Sequence, residues 1–117
     1  MVVKTASKAG LRDWLIQRVS AIIIGLYTLF IVIYLLANPS LAYAQWHHLF
    51  QGLPMRIITL LVVLTIVWHA WIGLWTVLTD YVKNTSVRVI VQGIIIILLA
   101  AYIISSIDVL WSAGNGY

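Results

Sequence analysis

The chain has 117 residues, 63% of them hydrophobic and 9% charged, with a formal net charge of +4. Soluble domains carry roughly 25% charged residues, so this is one small domain whose solvent is lipid, and its Lys and Arg residues, gathered at the ends of apolar runs, set membrane topology rather than a nucleic-acid face. Cysteine is absent, which excludes disulfides, thiolate metal sites, cysteine nucleophiles and iron–sulfur ligation by this chain; a redox centre needs nitrogen or oxygen ligands, or another subunit.

Residues 1–14 read as a basic arm, in which Lys4, Lys8 and Arg12 face a single acid, Asp13. A first transmembrane helix is predicted over about residues 15–37. Its stretch from Val19 to Ala37 holds no charge and at about 1.5 Å per residue crosses a hydrocarbon core about 30 Å thick. Asn38-Pro39 ends it, because proline cannot continue the hydrogen-bond ladder and pushes the residue before it out of helix. Ala42-Tyr43-Ala44 has the form of a signal-peptidase site, but the apolar run before it is longer than the roughly 7–15 residues of a signal peptide.

Residues 38–55 form an aromatic loop with Trp46, His47, His48 and Phe50, a setting in which short interfacial helices are common. Gly52-Leu53-Pro54 turns the chain into the next helix, since proline is tolerated in a first turn. The second transmembrane helix is predicted over about 56–81 and the third over about 87–111, joined by a hydrophilic turn at 82–86, with residues 112–117 as a tail. The fold class is therefore an all-α membrane protein with three spans. Basic residues concentrate on the N-terminal arm and on the turn carrying Lys83 and Arg88, so the N-terminus and that turn are expected in the cytoplasm and the C-terminus in the periplasm.

His69 lies in the middle of the second span, where an ionisable side chain is costly and by default functional. At about 100° per residue, Thr65, Gly73, Thr76 and Asp80 fall within about 40° of it, whereas Trp68, Trp71 and Trp75 gather about 130° away, toward lipid or a neighbouring subunit. Two readings fit. His69 makes an interhelical hydrogen bond with Gly73 as a packing glycine, or it ligates a metal or haem whose flat ring needs the space beside Gly73. In the second case another chain supplies the other axial ligand, because His47 and His48 precede the helix. Asp80 and Tyr81 close the same span. Tyrosine there is an ordinary interface anchor, or its hydroxyl donates to a ligand carbonyl oxygen beside a carboxylate that handles protons.

His69-Ala70-Trp71-Ile72-Gly73-Leu74-Trp75-Thr76-Val77-Leu78-Thr79-Asp80-Tyr81-Val82 closely resembles the second helix of the small hydrophobic membrane anchor of bacterial succinate dehydrogenase, and Arg18-Val19-Ser20-Ala21 fits the same family. The specific match covers roughly residues 12–83; the third helix agrees in hydropathy alone. The resemblance implies that His69 is one axial ligand of haem b, the other coming from a sister membrane anchor. It further implies that Arg18, with Gly73, lies near the haem and its propionates, and that Tyr81, beside Asp80, hydrogen-bonds ubiquinone. The implied partners are the sister membrane anchor, an iron–sulfur subunit and a flavoprotein subunit in the bacterial inner membrane, with no nucleic acid. A haem-free structural anchor of a related fumarate reductase is the alternative. Of the remaining polar residues, Asp108 reads as an interface or capping group, His47 and His48 as loop residues, and Gln92 and Gly93 as helix packing.

Overall fold

In the computed structural model, residues 2–115 of the backbone and side chains 10–115 are described. The chain forms α1 (Val2–Ala37), α2 (Tyr43–Gln51), α3 (Leu53–Tyr81) and α4 (Thr85–Gly114). Three of these, as Gly10–Ala37, Leu53–Tyr81 and Thr85–Gly114, are long and apolar enough to cross a membrane. At most 11% of the residues in the most apolar window of any span are buried. The apolar surface thus faces outward, as it does when lipid is the solvent and backbone polar groups are satisfied within each helix.

The predicted spans are present, with longer ends. The basic arm is not separate from the first span: α1 begins at Val2 and continues unbroken for 36 residues, about 54 Å of helix, because neither proline nor a capping sequence interrupts residues 2–14. The side chains of Lys4 and Lys8 lie outside the described residues. At the other end, Asn38 Nδ2 donates to Tyr34 O at 2.8 Å and covers a carbonyl that the ended helix leaves open.

The loop after α1 contains α2, opened by Gln45, whose Oε1 accepts from Ala42 N–H at 3.0 Å. Trp46 holds this short helix in place, edge-on to Phe50 at 5.0 Å and tilted against Tyr34 of α1 at 6.3 Å between ring centroids. Gly52 is both the C-cap of α2 and the N-cap of α3, and Pro54 falls in the first turn of α3 as predicted.

The predicted turn at 82–86 shortens to residues 82–84, because Asn84 caps α4 by accepting from Val87 N–H at 3.2 Å. The predicted tail is shorter too: α4 runs through Gly114 to an Asn115 cap, and Gly116 and Tyr117 lie outside the described residues.

Among the described residues α3 is the central helix, packing on both α1 and α4, while α1 and α4 do not pack on each other. The pairing of α1 with α3 is antiparallel: Gln17, Ser20 and Tyr27 meet Gly73, His69 and Thr59 in turn. Tyr27 and Thr59 hydroxyls hydrogen-bond at 2.8 Å across this seam. Toward the α2 end of the bundle Val63, Leu110 and Ala113 are buried, and the Arg56 guanidinium sits 5.6 Å over the Trp111 ring, close enough that a Cβ on Gly114 would overlap it. Gly93, expected to pack against a helix, has nothing within 4 Å of where its Cβ would lie. No helix among the described residues crowds it.

Candidate functional site

The face of α3 that carries His69 packs on α1, and a polar cluster forms where they meet. Ser20 of α1 is 4% exposed, the one buried polar side chain among the described residues. Its Oγ lies 2.8 Å from His69 Nδ1 and donates to the Gln17 carbonyl oxygen at 3.0 Å. The Gln17 amide covers the same ring edge. With its nitrogen turned to the ring, it donates to His69 Nδ1 at 2.7 Å and to the His69 carbonyl oxygen at 3.3 Å, and its oxygen accepts from Gly73 N–H at 3.2 Å. All of these ring bonds fall on Nδ1; among the described residues no hydrogen bond engages Nε2. The interhelical hydrogen bond read from the sequence is therefore present, and it leaves the other ring nitrogen without a partner among those residues.

His69 lines a cleft of about 430 Å³ together with Gln17, Arg18, Ala21, Gly73 and Thr76. This brings together three of the residues singled out in the sequence, His69, Gly73 and Arg18. Arg18 stands at the mouth, its guanidinium 5.3 Å over the Trp14 ring. Gly73 keeps the cleft wall low, and α1 comes close beside it: a Cβ there would lie 3.3 Å from the Gln17 amide.

The threonines of the same stripe add no free polar group. Thr65 Oγ1 donates to Leu61 O at 2.8 Å and Thr76 Oγ1 to Ile72 O at 2.9 Å, each turned back onto its own helix. Trp68 and Trp75 are exposed, and Trp71 rests against Trp75 at 5.2 Å, in keeping with the outward face expected for them.

Asp80 and Tyr81 are not part of this cleft. They stand at the far end of α3, about 18 Å along the axis from His69, where Asp80 is exposed and Tyr81 is 79% exposed. The backbone closes behind them as Val82 N–H donates to Leu78 O at 3.0 Å. Tyr81 thus presents its ring and hydroxyl outward, with no wall of described residues around it.

Among the described residues no group of three or more His, Cys, Asp or Glu side chains converges as a metal-binding set. Asp108 lines a cleft with Tyr27, Tyr43, His47 and Thr59, to which all four helices contribute. The sequence reading missed Ser20 and Gln17, although a signal was there: Gln17, Ser20 and Tyr27 recur at helical spacing as polar residues on one face of the first span.

The chain matches the family described as succinate dehydrogenase/fumarate reductase transmembrane subunit over residues 3–106. It is 44% identical over 112 residues to the succinate dehydrogenase hydrophobic membrane anchor subunit of Coxiella burnetii, covering 96% of this chain and 97% of that protein. It is 31% identical over 107 residues to the protein of the same name from Rickettsia felis, covering 86% and 87%. A third relative of that name, from Rickettsia bellii, is 33% identical over 86 residues, 71% of this chain and 66% of its own length. With its three lipid-facing spans and its matched length, the chain belongs to the succinate dehydrogenase/fumarate reductase transmembrane subunit family, as a multi-pass anchor of the bacterial inner membrane.

Proposed function

We propose that this chain anchors a succinate:quinone oxidoreductase and that His69 supplies, through Nε2, one axial ligand of a haem b whose other ligand comes from the sister membrane anchor. The observation that carries this reading is the asymmetry of the His69 ring: Nδ1 is hydrogen-bonded from α1, while Nε2 is left with no hydrogen bond from the described residues, beside a cleft. Metal-ligating histidines donate from one nitrogen to an outer partner and present the other to the metal; here Ser20 Oγ, with its own proton on Gln17 O, is the group placed to accept from Nδ1–H. The remainder of the cleft fits the group. Gly73 makes room for a flat ring, and Arg18 at the mouth offers a planar fork to propionate carboxylates. A haem bound here supplies one-electron storage.

The second part of the reading concerns quinone. Tyr81 donates its hydroxyl to a carbonyl oxygen of ubiquinone, and Asp80 next to it passes protons from the aqueous side. Reduction of a quinone to a quinol takes two electrons and two protons, so the site must border both lipid and water. The exposed end of α3 meets that requirement. Its other walls belong to partner chains: the iron–sulfur subunit that delivers electrons, and the sister anchor. Succinate is oxidised on a flavoprotein subunit, and this chain contributes no residue to that step. The arrangement of basic residues orients the N-terminus and the Lys83–Arg88 turn to the cytoplasm, and the C-terminus to the periplasm.

The test is a reduced-minus-oxidised optical spectrum of the purified complex, with His69→Leu as the control. Wild type is expected to show b-type bands that the variant lacks. A complex without those bands would be a haem-free anchor of the fumarate reductase kind, and a His69→Leu complex that kept them would remove His69 from the ligand set.

A further inference from the structure

We propose that Gln17 and Ser20 are positioning residues for His69, which hold its ring by Nδ1 in either tautomer and set how strongly Nε2 donates to a metal. This rests on the haem reading above and deepens it. A neutral imidazole carries one N–H and one lone pair. Before ligation, the Gln17 amide donates to a bare Nδ1 at 2.7 Å, so the ring proton is on Nε2. To bind a metal through Nε2, His69 must lose the N–H bond there and gain one at Nδ1, with no net change in protons.

A backbone carbonyl or a carboxylate beside Nδ1 would serve only the second tautomer. The groups present are a hydroxyl and a carboxamide, neutral side chains that both donate and accept. Ser20 Oγ, with its own proton committed to Gln17 O at 3.0 Å, accepts from Nδ1–H across the 2.8 Å contact. The Gln17 amide keeps its orientation, because reversed it would set its oxygen against the His69 carbonyl oxygen and its nitrogen against Gly73 N–H; Gln17 serves the first tautomer and Ser20 the second. Ser20 is buried and Gln17 sits between His69 and Gly73, so the exchange happens without turning the ring or moving a helix.

The electronic consequence has a sign. Acceptors at Nδ1–H raise the basicity of the ligand, which favours the ferric over the ferrous state. Removing one lowers that preference and raises the midpoint potential; replacing it by a carboxylate does the opposite. A tenfold change in preference corresponds to about 59 mV for one electron.

The experiment uses the intact complex, with haem stoichiometry and midpoint potential measured by spectroelectrochemical titration of the b-type bands in wild type, Ser20→Ala, Ser20→Thr, Gln17→Leu and Gln17→Glu. Ser20→Ala is expected to raise the potential toward the tenfold mark, and Gln17→Leu, which takes away a donor and no acceptor at Nδ1–H, not to raise it. Gln17→Glu is expected to lower it, and Ser20→Thr, which keeps the hydroxyl, to match wild type. Loss of haem from Ser20→Ala but not from Ser20→Thr also supports the hydroxyl's role. Unchanged potentials, a shift of one sign in all four variants, or equal behaviour of Ser20→Ala and Ser20→Thr overturns the proposal while the haem reading stands. A wild-type complex without b-type bands overturns the haem reading itself.

Discussion

Gly73 offers a graded test of how close α1 must come to the His69 ring. An added Cβ would lie 3.3 Å from the Gln17 amide, so Gly73→Ala requires that amide to give by a few tenths of an ångström. The amide is 2.7 Å from Nδ1, and that retreat keeps it within the ordinary hydrogen-bond range of about 2.7–3.2 Å. Alanine also gains about 1 kcal/mol of helix propensity over glycine, so Gly73→Ala should assemble normally and hold haem within about twofold of wild type. Valine adds two methyl groups where the amide lies and displaces it. The amide then loses its bonds to Nδ1 and to Gly73 N–H, and at about 0.6 kcal/mol for each such bond within a membrane the loss comes to about 1.2 kcal/mol of the α1–α3 pairing. The assay is the thermal midpoint of the purified complex. Equal midpoints in the alanine and valine variants would refute the reasoning, since contact with Gln17 is what separates them.

Three further outcomes are expected. Tyr81→Phe should slow succinate oxidation with quinone by about 2- to 13-fold, the equivalent of one neutral hydrogen bond, and leave the rate with an artificial acceptor unchanged; equal loss in both assays would remove Tyr81 from the quinone site. Arg18→Gln should lower haem occupancy, and Arg18→Lys should restore it only in part, because an ammonium cannot match the planar fork; full occupancy in Arg18→Gln would end the propionate assignment. Asn84→Ala should cost about 1 kcal/mol by uncapping α4, read as a lower thermal midpoint of the complex that Asn84→Asp does not show.

The spans were legible because a bilayer leaves little choice: an uncharged run long enough to cross must be helix. Their ends were less so, since hydropathy marks where lipid stops and not where hydrogen bonding stops, and α1 accordingly runs back to Val2. Within the site, helical periodicity put His69 and Gly73 on one face, and the resemblance added Arg18; all three share a cleft. Periodicity around α3 gives a direction and does not say which residues of α1 lie opposite, so the polar spacing of Gln17, Ser20 and Tyr27 was not tied to the histidine that the first two hold. It also credited Thr65 and Thr76 to a polar face, although both turn their hydroxyls back onto their own helix. Nothing in the sequence spoke to the surroundings of Tyr81, and no described residue of this chain walls it.

The uninterrupted course of α3 from Leu53 to Tyr81 makes it a ruler. Twelve residues separate His69 from Tyr81, and in a regular helix that fixes both a distance of about 18 Å and an angle of about 120° between the two side chains. Each surface can accept substitutions independently of the other. A single residue inserted between them is a different matter: it advances Tyr81 by only about 1.5 Å but swings it through about 100°, toward a different neighbour. Length within residues 70–80 is therefore the more exacting constraint, and a one-residue insertion there would uncouple the two ends of the helix while leaving its hydropathy, its caps and its crossing of the membrane intact.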